Sequence, residues 1–133
     1  MVATAVLLAA GVGLASAATA HVKVRLSGRH EVPAVTTRAR GYGVIEISSD
    51  GAVSGKITTR GIKGIMAHIH EAPAGQNGPV IIPLAPGPHG TWVVPPGSKL
   101  TPEQYQAFQA GDLYVNVHSK AHPGGEIRGQ LKP

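Results

Sequence analysis

The chain has 133 residues, 42% of them apolar and 14% charged, which bounds it to one globular domain with a single core. It has no cysteine, which excludes disulfides, zinc–thiolate sites, iron–sulfur clusters and cysteine nucleophiles and leaves imidazole as the main ligand for any metal. The net charge of +5 attracts anions, yet the Lys and Arg residues are scattered, and one Phe, one Trp and three Tyr offer little stacking surface, so nucleic acid is a poor candidate partner.

The chain opens with MVATAVLLAAGVGLASAATA, an apolar run without Asp, Glu, Lys or Arg that ends in two small-x-small patterns, Ala15-Ser16-Ala17 and Ala18-Thr19-Ala20. Residues 1–20 read as a signal peptide cleaved after Ala17 or Ala20, with a membrane anchor as the alternative, and residues 21–133 as a periplasmic or secreted domain. No later stretch approaches the roughly 20 consecutive apolar residues of a spanning helix.

From His21 the text alternates as a strand does, with Val22, Val24 and Leu26 on one face and Lys23, Arg25 and Ser27 on the other. Gly28 breaks this run, Tyr42 to Ser48 resumes it, and Asp50-Gly51 predicts a hairpin to Val53–Thr59. Ile65 to His70 is rich enough in branched residues for another strand. Glu71–Pro79 and Pro86–Gly97 read as long surface loops, the second around a short Thr91–Val94 segment.

One helix is signalled by Thr101 as N-cap, Pro102 at the first helical position, Gln104 completing a capping box, and Gly111 as the stop. Leu113–His118 and Glu126–Leu131 close the chain as two strands. About seven short strands, one minor helix and no βαβ rhythm predict an antiparallel Greek-key β-sandwich.

Residues two apart on a strand share a face, so His68 and His70 emerge side by side with Ile69 behind them. The same arithmetic puts Asn116 and His118 together on the later strand, so three imidazoles can converge. Such a sulfur-free set suits Cu(II), Zn(II) or Ni(II); copper is favoured by intrinsic affinity, with zinc as the alternative. The competing reading is that these histidines are half-exposed and bonded to loop backbone. Arg128 is expected to pair with Glu126 or Glu31.

Leu26-Ser27-Gly28 with Glu31-Val32-Pro33, Ala67-His68-Ile69-His70, Asn77-Gly78-Pro79-Val80, Tyr114-Val115-Asn116-Val117-His118 and Pro123-Gly124-Gly125-Glu126-Ile127-Arg128-Gly129-Gln130 resemble, in that order, the CHRD family. The resemblance implies an immunoglobulin-like β-sandwich and an exported protein, and it implies no single activity. His30 stands where the family pattern usually has Gln, and His122 where Asn often precedes Pro-Gly-Gly, so this chain carries two added imidazoles.

A more distant resemblance, to copper/zinc superoxide dismutases, rests on His68-Ile69-His70-Glu71, Gly87-Pro88-His89, Val117-His118 and Gly124 to Arg128. It implies copper on His68, His70 and His118, a further ligand at His89, and anion guidance of superoxide by Arg128. Cleavage after Ala20 would also make His21 an amino-terminal copper chelator. The readings carried forward are copper binding for metal handling, superoxide dismutase-like redox chemistry, and a metal-free extracellular interaction module.

Overall fold

Alternating apolar and polar residues make the strands of this chain, and the structure, a computed structural model, describes residues 17–133. The expected signal peptide up to Ser16 lies outside the described residues. Strand β1 (Thr19–Ser27) buries Val22, Val24 and Leu26 and exposes Lys23 and Arg25. A single 3-10 turn at Gly28–His30 starts the long connection to β2 (Arg40–Ser48), which pairs antiparallel with β1 over its whole length. The expected hairpin then leads to β3 (Val53–Arg60), with Gly51 taking the left-handed φ of 93° that its turn requires.

Next come β4 (Gly64–Glu71), β5 (Val80–Pro83), β6 (Ala85–Pro86) and β7 (Thr91–Val93), then helix α1 (Pro102–Gln109), β8 (Leu113–Ser119) and β9 (Ile127–Leu131). The capping box forms as the sequence predicts: Gln104 N–H donates to Thr101 Oγ1, and Thr101 N–H donates to Gln104 Oε1. Two strands were not expected. Val80-Ile81-Ile82 sits between prolines and pairs with β4 as β5, and β6 adds two residues beside β7. The expected loop over Pro86–Gly97 instead buries Trp92 and Val94.

The strands form one sheet in the order β5-β4-β8-β9-β1-β2-β3-β7-β6. β9 meets β1 through the single register pair Ser27–Arg128, and this seam divides the sheet into two layers. Both layers feed one core, from Val24, Ile45 and Ile57 on one side to Ile69, Val115 and Ile127 on the other. The two ends of the sheet nearly meet, because only Leu84 separates β5 from β6 and because a Cβ at Gly64 of β4 would come within 3.0 Å of both Trp92 of β7 and Val117 of β8. The all-β, antiparallel architecture with one short helix is therefore present, as a nearly closed sheet.

Trp92 fills the space where the sheet's ends approach, so Trp92→Ala is expected to lower unfolding free energy by about 3–5 kcal/mol. Urea denaturation checks this; a loss under about 1 kcal/mol would mean that closure does not depend on the indole.

Candidate metal centre

Every residue of β8 is buried, although only one of its faces looks into the core. Leu113, Val115 and Val117 point into the core; Tyr114, Asn116 and His118 point outward, in register with β4 and β9. The rows on that outer face read Met66–His118, His68–Asn116–Arg128 and His70–Tyr114–Gln130. Residues 72–79 and the turn after β8 cover this polar layer and supply backbone carbonyls to it.

His68, His70 and His118 offer nitrogen atoms that all lie within 4.8 Å of one another. His70 Nδ1 is 3.0 Å from the carbonyl of Gly78, and His118 Nδ1 is 2.9 Å from that of Pro123. A carbonyl only accepts, so both rings carry their proton on Nδ1 and present Nε2 as a lone pair. Carbonyl-fixed imidazoles of this kind are the usual outer support of metal ligands. His68 Nδ1 lies 3.0 Å from His118 Nε2 and donates to it. His70 Nε2 lies 2.9 Å from Asn116 Oδ1, where a lone pair would face an acceptor. The contact is met if the amide turns to offer Nδ2 there, or if Nε2 also carries a proton and donates to Oδ1.

Burial, and then the neighbouring rings of His118 and His70, hold His68 below the ordinary imidazole value. Burial likewise lowers His70, against the partial opposition of its bonds to Gly78 and Asn116. Both rings are therefore neutral at pH 7, the form that ligates. His70 and His118 are each 7% exposed, while His68 is half-buried and leaves the trio reachable from solvent.

The ring of His70 stacks on Tyr114 with centroids 4.7 Å apart and planes 2° from parallel, and Arg128 Cζ lies 3.4 Å from the Tyr114 centroid. Arg128 is only 1% exposed. It does not make the ion pair expected from the sequence: its guanidinium donates to the carbonyls of Gln76 at 2.8 Å and Pro73 at 3.2 Å. Glu126 is instead held by the hydroxyls of Thr37 and Ser119. Gln130 adds bonds from its amide to the carbonyls of Ala72 and Gly111.

Glu31 is 6% exposed, and its Oε2 makes no hydrogen bond. Burial pushes its carboxyl up to about 7, which the Asn116 amide and the Arg128 charge offset only in part. Gly125, at φ 121°, lets the turn pass directly over this group, since a Cβ there would run into the Glu31 carboxylate and the Asn116 amide.

Of the candidate ligands read from the sequence, His68, His70 and His118 come together, whereas His89 and His122 are not in the converging set. His89 sits exposed in the turn between β6 and β7 at φ 54°, and His122 closes the turn after β8 through its backbone bonds to Ser119. His21 pairs with Glu46 at 3.1 Å. Met66, which the sequence reading passed over, shares the outer face with His68 and His70; the spacing Met-x-His-x-His was the available signal.

The raised carboxyl gives a pH prediction with a definite sign. A group protonated more readily in the folded state stabilises fully below its unfolded value near 4.5 and loses that contribution as pH rises through about 7. Glu31→Gln should match the parent near pH 4 and exceed it by about 3 kcal/mol at pH 8. Urea midpoints at the two pH values check this; a constant difference between the two proteins would contradict it.

A model of the CHRD domain family matches residues 22–131. No curated protein and no solved structure matches the chain, so the likeness to copper/zinc superoxide dismutases finds no support there. The family match covers nearly all of the described strands, from β1 through β9, together with every residue of the polar layer. The chain belongs to the CHRD domain family.

Proposed function

We propose that this chain is an exported copper-binding domain, holding Cu(II) on His68, His70 and His118 for metal handling. The observation that carries this reading is the convergence of three imidazoles, two of them fixed at Nδ1 by backbone carbonyls with Nε2 turned into the cluster. The all-nitrogen set favours copper by intrinsic affinity, with zinc as the competing metal. Met66, 46% exposed and in register with His118, puts a soft thioether on the same face, a donor type that suits Cu(I). When bound, copper would supply Lewis acidity and one-electron redox capacity; the chain's own part is to keep His68 and His70 neutral and to orient the three rings.

Metal handling is preferred to superoxide chemistry on the position of Arg128. An anion-guiding arginine has to face solvent, and this one is buried against Tyr114 with its N–H groups occupied by carbonyls. His89 is outside the converging set as well.

Export rests on the apolar leader, and the pairing of β1 favours one of its two cleavage points. Thr19 and Ala20 pair with Ser48 and Ile47, and the Ala18 carbonyl accepts from Ser49 N–H. Cleavage after Ala17 keeps these bonds, whereas cleavage after Ala20 removes them. The mature chain is therefore expected to begin at Ala18, which intact-mass measurement of the exported protein checks; a start at His21 would reject this choice.

Copper stoichiometry and EPR of the exported protein test the site. The expected result is one Cu(II) per chain with nitrogen hyperfine structure. His68→Ala and His118→Ala should each weaken binding by more than the roughly 10–100-fold typical of losing an outer-shell partner, with circular dichroism unchanged. Unchanged affinity in both variants would rule the site out, and absence of copper from the parent would favour the metal-free interaction module. Preference for zinc in direct competition would reassign the metal.

A further inference from the structure

The fold gathers cations that are scattered in the sequence onto the outer face of β1, β2 and β3. Register rows on that face read Ser27–Arg40–Arg60, Arg25–Tyr42–Thr58 and Lys23–Val44–Lys56. Arg29, in the 3-10 turn, extends the first row. An open cleft of about 570 Å³ runs over the first two rows and Arg29, and a second of about 400 Å³ shares Arg25, Arg29 and His30 with it and crosses the β1–β9 seam toward Lys132. Among the described residues, none of these cations has a carboxylate within ion-pairing distance. The acidic side chain on the face, Glu46, sits two rows from Arg25 and is taken up by His21 and Ser54. Glu31, in the second cleft, is buried.

The geometry points to this face as a binding surface for a linear acidic polysaccharide, one carrying uronate or sulfate groups. The positive groups come from four separate elements and are spread along the face, which fits an extended polymer with repeating charges better than one small anion. Tyr42 stands in the middle of the rows and is 62% exposed, offering a flat ring for a sugar to lie on. Thr58 is in register beside it, and the buried Oγ of Ser27, which lines the cleft, has no hydrogen-bond partner. Successive base stacking needs several aromatic platforms, and this cleft has one phenol ring, Tyr42, and one imidazole, His30, among its described lining residues. The surface meets the histidine face in register at Ser27–Arg128 and shares Arg128 with it through the second cleft, but none of the three histidines lines either cleft, so different variants test this reading and the copper reading.

The test is titration of the intact mature chain with heparin and with polygalacturonate near 0.15 M salt, where exposed charges more than about 8 Å apart are screened. Both polymers should bind. The triple variant Arg25→Ala/Arg40→Ala/Arg60→Ala should bind about tenfold or more weakly, since each exposed contact contributes up to about a factor of five. Tyr42→Ala, which leaves the charge untouched, should also weaken binding, while His68→Ala should not. The control Lys63→Ala/Lys99→Ala/Lys120→Ala removes the same charge from elsewhere and should stay within about twofold of the parent. Circular dichroism of each variant confirms folding. Failure of the parent to bind either polymer, or an equal loss in the control, would overturn the proposal. So would tighter binding to phosphatidylglycerol vesicles or to single-stranded DNA, which would reassign the face to a membrane or to nucleic acid.

Discussion

The burial of Arg128 without a carboxylate partner constrains the polar layer more than any other feature. A cation taken out of water costs several kcal/mol unless its donors are met, and here the loop over residues 72–79 must meet them. Carbonyls of Pro73 and Gln76 do so, while the face of Tyr114 lies against the guanidinium. The loop is thereby fixed close to β8, close enough that Gly78 N–H donates to the Tyr114 hydroxyl and the Gly78 carbonyl reaches His70. A Cβ at Gly78 would collide with the Glu71 carbonyl, so that approach needs glycine. The proton position on His70 thus follows from how Arg128 is satisfied, two strands away.

The same alternation that builds the core also makes two outer faces of opposite character. On β4, β8 and β9 the outward residues are imidazole, amide, phenol and guanidinium, which loops can cover because each finds a partner. On β1, β2 and β3 they are mostly Lys, Arg, Thr and Ser, with no covering loop among the described residues, so the charge stays in water. Covering the first face removes water from the histidines and lowers two of them; leaving the second bare keeps its field directed outward.

Much of this was legible in the sequence where a local rule decides. Period-two patterning located β1, β2, β3 and β8, and Thr101, Pro102 and Gln104 marked the helix start to the residue. The same parity argument put His68 and His70 on one face of their strand and Asn116 and His118 on one face of theirs, and the two strands pair side by side. What was not legible depends on distance along the chain. β5 is a short apolar run between prolines whose pairing with β4 includes a bulge at Ile69/His70. The partners of Arg128 are backbone carbonyls, which leave no signature in side-chain identity. The cationic face escaped notice because Arg25, Arg40 and Arg60 meet only through strand register.

The energetic scales separate the two readings of the histidine trio. Without metal, the three rings satisfy one another and their surroundings through hydrogen bonds such as that from His68 to His118, each contributing about 1 kcal/mol net. A bound ion is favoured only where its ligand bonds outweigh the hydrogen bonds they replace. To ligate, His70 and His118 need no change of tautomer, because Gly78 and Pro123 already hold their Nδ1 protons. His68 has to give up its bond to His118, and the Asn116 amide has to leave His70 Nε2. Any cation at the trio would therefore displace two side-chain contacts and leave the carbonyl bonds at Nδ1 of His70 and His118 intact.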